Sequence, residues 1–161
     1  MRPCERVDQL LRDLGSDLGT PLQLGPDGQV NLTFADALVC TLGVSDEEEK
    51  VALGAGLAAV PSTGRKALFE AALRLNEAET GTGGGGIGYD EARAELVLWR
   101  TRTTRDLGKS HLALFLAEFM TAAVTDRDRL RAAGAASIPA ESPDAPRVDG
   151  IDLMRYLNVR G

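Results

Sequence analysis

At 161 residues, a formal net charge of −6 and a pI near 4.8, the chain has the length of one domain with a tail. Its charge has the wrong sign for a nucleic-acid or anionic-membrane surface. Hydrophobic residues make up 43% but aromatic residues only 4%, so a core has to be built from Leu, Val and Ala. Two cysteines and a single histidine provide neither a disulfide framework nor a zinc spacing. The charged start MRPCERVDQLLRDL lacks the apolar stretch of a secretory leader, and no apolar run nears the ~18 residues of a membrane helix. A soluble, cytoplasmic protein is expected.

The first element is an amphipathic helix over 2–18, with Val7, Leu10, Leu11, Leu14 and Leu18 on one stripe. Gly15 and Gly19 mark its fraying end, and Pro21 stops it. Leu22 and Leu24 make a short extended piece that turns at Gly25-Pro26-Asp27-Gly28. Val30, Leu32 and Phe34 alternate with Asn31 and Thr33, the pattern of a half-buried strand. Ala35-Asp36-Ala37 leads into a second strand over 38–44, with Leu38, Cys40, Leu42 and Val44 on one face and Val39 and Thr41 opposite. An acidic loop over 45–50 follows. The next stretch, VALGAGLAAV at 51–60, is ambiguous by propensity: its alanines favour helix, while its glycines and Pro61 do not.

A second helix over 62–79 sets Leu68, Ala71, Ala72, Leu75 and Ala78 at three- and four-residue steps. Six glycines between Thr80 and Gly88 cannot continue it. Tyr89 leads to a polar turn over 90–94, and Leu96, Val97, Leu98 and Trp99 form an apolar run typical of a strand buried on both faces. A long helix over 106–131 keeps Leu112, Phe115, Leu116, Phe119, Met120 and Ala123 in helical step and ends in a charged stretch from Asp126. The domain is thus expected over 1–131. Residues 132–149, with Pro139, Pro143 and Pro146, read as a flexible Ala/Ser/Pro linker. The closing 150–161 (GIDLMRYLNVRG) is a short amphipathic segment, open to docking on its own domain, on a twin or on a partner.

The succession of Leu-rich helix, Asn76, TGGGGIGYD, turn and apolar strand resembles the class I type III secretion chaperones of the CesT/Tir-chaperone family. The likeness is carried by 68–75, Asn76, Gly83 to Gly86, Ile87, Gly88, Asp90 and 96–99, with LTFADALVCTL at 32–42 in support, and spans residues 3–125. It implies an α+β fold in the order helix, three strands, helix, two strands, helix, with helices packed on a twisted antiparallel sheet. It also makes 51–60 the third strand, expected at a sheet edge. A homodimer is implied, with Leu68, Ala72, Leu75 and Ile87 at the interface and Trp99 there or in the core.

The implied function is that of a bacterial cytoplasmic chaperone. It would hold the N-terminal chaperone-binding region of a type III secretion effector extended and secretion-competent, without ATP of its own or any cofactor. The secretion ATPase or sorting platform would be a further partner. Effector contacts are implied at the first helix and adjoining strands, which gives Val7, Leu10, Leu14, Leu22, Leu24, Val30, Leu32 and Phe34. Each of these is also suited to ordinary core. An unfolded segment would gain affinity by seating apolar side chains and adding a strand to a sheet edge.

Features of an enzyme are sparse. G-x-G-x-x-G occurs at Gly81, Gly83 and Gly86, but it follows a helix and precedes a strand, the reverse of a dinucleotide loop. His111 opens the last helix with no nucleophile and carboxylate indicated beside it. Cys40 reads as a small core residue, Cys4 as an exposed thiol, and the acids at 46–49 as a solvated turn. No catalytic or metal site is expected. Two further readings stay open: a YbjN-like regulatory domain of the same fold without a secretion role, and an enzyme or nucleotide binder using the glycine loop and His111.

Overall fold

In the computed structural model, residues 1–34, 38–79 and 85–135 are described. The linker and closing segment expected over 132–149 and 150–161 lie outside these residues apart from the start of the former, as do Gly81 and Gly83. The periodicities become α1 (Pro3–Leu18), β1 (Gln29–Thr33), β2 (Val39–Ser45), β3 (Lys50–Ala59), α2 (Arg65–Glu79), β4 (Gly85–Asp90), β5 (Glu95–Thr103) and α3 (Lys109–Ala135). This is the expected α+β order. The strands form one antiparallel sheet in the order β1-β2-β3-β5-β4.

That order corrects one expectation. The VALGAGLAAV stretch is not an edge strand but the middle one, paired with β2 on one side and β5 on the other. Its alternation is of size rather than polarity. Val51, Leu53 and Ala55 face one way and Ala52 and Gly54 the other, and all are buried. A strand with apolar or small residues on both faces is what the interior of a sheet accepts. What makes it central is β5, which returns from beyond α2 and so leaves no trace in the local sequence.

Directly opposed residues share a face of a sheet. Val30, Leu42, Leu53 and Arg100 stand in one cross-strand row, and Leu32, Cys40, Ala55, Leu98 and Ile87 in the next. α1 adds Val7 and Leu11 to this cluster, α2 adds Leu68 and Ala72, and α3 adds Leu112, Phe119 and Leu130. α3 crosses the sheet where the Arg102 guanidinium lies 4.8 Å from the Phe115 ring centroid, a cation–π contact that lets an arginine sit against an apolar helix. The opposite face is made of smaller residues, with Thr41, Gly43, Ala52 and Gly54 beside Trp99.

The ends of the helices show how local chemistry and packing combine. At the start of α1 the Glu5 carboxylate accepts the Arg2 backbone N–H at 3.0 Å, and the Asp46 carboxylate accepts that of Cys4 at 2.7 Å. Both satisfy N–H groups that a first helical turn leaves without partners. At the other end Gly19 takes the left-handed conformation (φ 67°) that closes a helix. Gly15 does not fray. It is buried inside α1, where a Cβ would stand 2.5 Å from the Thr20 carbonyl oxygen and 2.8 Å from the Leu22 nitrogen. Its bareness lets the chain double back across the helix. α3 runs four residues beyond the expected boundary at Arg131, and its charged end is partly interior: Asp126 is 2% and Arg127 9% exposed.

Both cysteines belong to the packing. Burial pushes the Cys40 thiol up to about 12. Cys4, expected to be exposed, is partly buried with its Sγ 3.8 Å from the Val44 carbonyl oxygen, and burial together with the neighbouring Asp46 raises it to about 11. Neither thiol is activated as a nucleophile.

Candidate partner-binding site

A sheet with two edges has two places where a chain can add a strand, and in this protein they differ. The β1–β2 ladder fixes which backbone groups of β1 point outward. Val44 N–H bonds the Gly28 carbonyl and Phe34 N–H the Leu38 carbonyl, so with the register Gln29↔Gly43 to Thr33↔Val39 the even-numbered residues face β2. Gln29, Asn31 and Thr33 therefore direct their N–H and C=O away from the sheet. The groups of Gln29 are already used: its carbonyl accepts Gly25 N–H at 2.7 Å, and its N–H bonds the Asp27 carboxylate at 3.2 Å. Among the described residues none bonds the outward backbone groups of Asn31 and Thr33. Two residues of open ladder remain.

The other edge is blocked at its middle outward position, Ile87, which separates the outward groups of Gly85 from those of Tyr89. β4 lies beside α2, and the Asn76 side chain makes two hydrogen bonds to one residue of the strand. Its Nδ2 donates to the Ile87 carbonyl at 2.9 Å and its Oδ1 accepts the Ile87 N–H at 2.6 Å. Further along, the Phe69 ring stands edge-on to Tyr89 at 5.3 Å.

Partly buried apolar side chains occur on α1, on the extended piece that leads to β1 and on the first strand region. Leu10 and Leu14 of α1, Leu22 and Leu24 of the extended piece, and Val30 and Phe34 of the first strand region all pack against the core without being enclosed by it. The extended piece is tied to α1 by Asp8, whose carboxylate accepts the Leu24 N–H at 2.7 Å and pairs with Arg12 at 2.8 Å. Of the expected contact residues, Val7 is fully buried and Leu32 is 7% exposed, so both side chains lie in the core of this chain. Periodicity marks the apolar stripe of α1, but only packing shows which part of its width is used.

Comparison with known protein families matches residues 9–127 to the Tir chaperone protein (CesT) family. The chain belongs to this family. No curated protein gives a significant match. Solved structures of the same fold include the ExsC–ExsE complex, at TM-score 0.70 and 22% identity over 81% of this chain and 97% of that one. The HopA1–SchA chaperone–effector complex aligns at TM-score 0.62 and 20% identity over 76% and 93% of the two chains. The ExoU–SpcU complex from the type III secretion system of Pseudomonas aeruginosa aligns at 0.56 and 19% over 79% and 96%.

In this member of the CesT family, the residues expected at a dimer interface lie around α2. Leu68, Ala72 and Ile87 are 4%, 5% and 8% exposed, because α2 packs them against α3 and the sheet. Their side chains pack within the chain. Leu75 is partly buried against the same cluster, and Trp99 is half-buried on the sheet face opposite the core. The apolar surface this region presents is instead Leu73, 67% exposed, with Phe69 one turn away and Tyr89 beside it. Sequence reasoning missed Leu73 because it breaks the stripe of α2, and a lone leucine off the stripe looks like any exposed helical residue.

The chemistry-bearing residues are not brought together. His111 is exposed on the first turns of α3, and the acids of 46–49 form the β2–β3 turn. Among the described residues no group of His, Cys, Asp and Glu is placed to hold a metal ion. No described helix is long and apolar enough to cross a membrane.

Proposed function

We propose that this chain is a type III secretion effector chaperone. It acts as a homodimer in the bacterial cytoplasm and holds the N-terminal chaperone-binding segment of an effector extended along β1. The observation that carries this reading is the pair of open backbone positions at Asn31 and Thr33, together with the half-buried side chains of Leu10, Leu14, Leu22, Leu24, Val30 and Phe34. An extended segment would add a strand through the first and seat alternate apolar side chains on the second. Family membership and the HopA1–SchA chaperone–effector complex among its structural relatives support the same role. The dimer is assigned to the exposed face of α2 and β4 around Leu73, Phe69 and Tyr89, with Trp99 as a further contact. Hand-over to the secretion ATPase or sorting platform completes the cycle, with no cofactor and no catalytic step in the chain itself.

Affinity capture from the native cytosol, followed by mass spectrometry and proteolytic mapping of the retained segment, tests the proposal. One dominant secreted partner, held through its N-terminal region, is the expected result. Recovery of the chain alone, or of a transcriptional or metabolic partner, would replace the secretion role with that of a regulator on the same fold.

A further inference from the structure

The two edges of the sheet differ, and the block on β4 depends on one side chain. A primary carboxamide carries a carbonyl and an N–H₂ side by side, the same donor–acceptor pair that a backbone presents to a neighbouring strand. Asn76 uses both on Ile87, at 2.9 and 2.6 Å, and so occupies the outward groups of that residue as a sixth strand would. The neighbouring position supports this use. Residue 86 is glycine, and a Cβ there would stand 3.1 Å from Asn76 Oδ1, tight enough to push the amide away. Ile87 is itself buried on the core face, so its backbone cannot shift to find another partner without disturbing the core. β1 has no such device at Asn31 and Thr33.

We infer that Asn76 is the residue that decides which edge of the sheet takes a partner strand. By mimicking a strand at Ile87 it interrupts β4 between Gly85 and Tyr89, so that no two successive outward residues are open there, and leaves extended segments to β1. The consequence for an effector rests on the strand-addition reading given above; the block on β4 does not. An open β4 beside an open β1 would give each molecule two unlike edges. These can pair head to tail between copies, and such heterologous contacts propagate into open-ended assemblies instead of closed dimers.

The test uses the full chain alone. Asn76→Ala removes both hydrogen bonds, and the Ile87 amide should exchange with solvent about tenfold faster or more than in the parent. Sedimentation should show concentration-dependent species larger than the parent's, and a second substitution, Thr33→Pro, which blocks β1, should suppress them. Asn76→Asp covers the case in which the alanine variant does not fold. It keeps an acceptor for the Ile87 N–H but loses the donor to the carbonyl, so it should retain amide protection and still assemble beyond the parent state. The inference is overturned if folded Asn76→Ala, or Asn76→Asp in its place, sediments like the parent at all concentrations. It is also overturned if Thr33→Pro leaves the larger species unchanged. None of these results requires an effector, so they stand apart from the outcome of the capture experiment.

Discussion

Replacing Thr33 with proline separates binding from folding. The Thr33 N–H points out of the sheet, its side chain is exposed, and the β1–β2 ladder passes through its neighbours, so proline removes no bond that the fold uses. Leu32, which precedes it, is already extended, as a residue before proline must be. Stability should therefore change by no more than about 0.5 kcal/mol, the usual range for an exposed site. Binding should change far more. A strand added at β1 would lose one backbone hydrogen bond, about 1 kcal/mol net, and keep an orphaned carbonyl costing about 1–3 kcal/mol. Together these amount to about 2–4 kcal/mol, or roughly 30- to 700-fold in Kd. Leu32→Pro is the contrast: its N–H lies in the ladder and its side chain in the core, so unfolding should become easier by at least about 3 kcal/mol. Calorimetry of binding to the captured effector segment, beside denaturant unfolding of the free protein, reads both quantities. Unchanged affinity in folded Thr33→Pro would mean that the segment does not add to β1.

Leu73→Asp places a charge on an exposed side chain, so it should leave Tm within a few degrees of the parent while shifting sedimentation from dimer to monomer; a stable dimer would move the interface elsewhere. Gly15→Ala should destabilise by about 1–2 kcal/mol. The clash with the Thr20 and Leu22 backbone outweighs the helical preference for alanine, and urea unfolding with an unchanged or higher midpoint would contradict that packing. Burial raises the Glu95 carboxyl above its ordinary 4.5; Arg93 opposes the shift and Asp90 adds to it. The native state therefore holds this proton more tightly than the unfolded chain. The associated stability is fully present below the ordinary value and is lost as pH rises from there through the raised one. Glu95→Gln should accordingly be more stabilising at pH 7 than at pH 4, and equal effects at the two pH values would show that the carboxyl is not desolvated in solution.

Much of this protein was readable in order along the chain. Spacing located every helix, because Leu and Ala recur at the helical step wherever a helix has one face to bury. Alternation located β1 and β2, and the Gly-Pro-Asp-Gly tetrad located the turn before them. These are local properties, fixed by neighbours a few residues apart, whereas the family was suggested by the resemblance of the whole succession, with Asn76 and TGGGGIGYD. Propensity could not place VALGAGLAAV, since being central is a relation to β5 rather than a property of the segment. Nor could it divide apolar residues into enclosed and presented. Val7 and Leu10 share a stripe, yet one is sealed and the other lies half open, depending on where β2 and α3 cross α1. Leu68, Ala72 and Ile87 went to the core for the same reason, leaving Leu73 as surface. The contrast between the two edges was hidden most completely. Asn76 is an ordinary polar residue near the end of a helix until the fold brings it beside Ile87. The sequence determined which segments bury apolar surface and with what period; only the tertiary structure decided against what, because burial and edge blocking are set by partners distant in the chain.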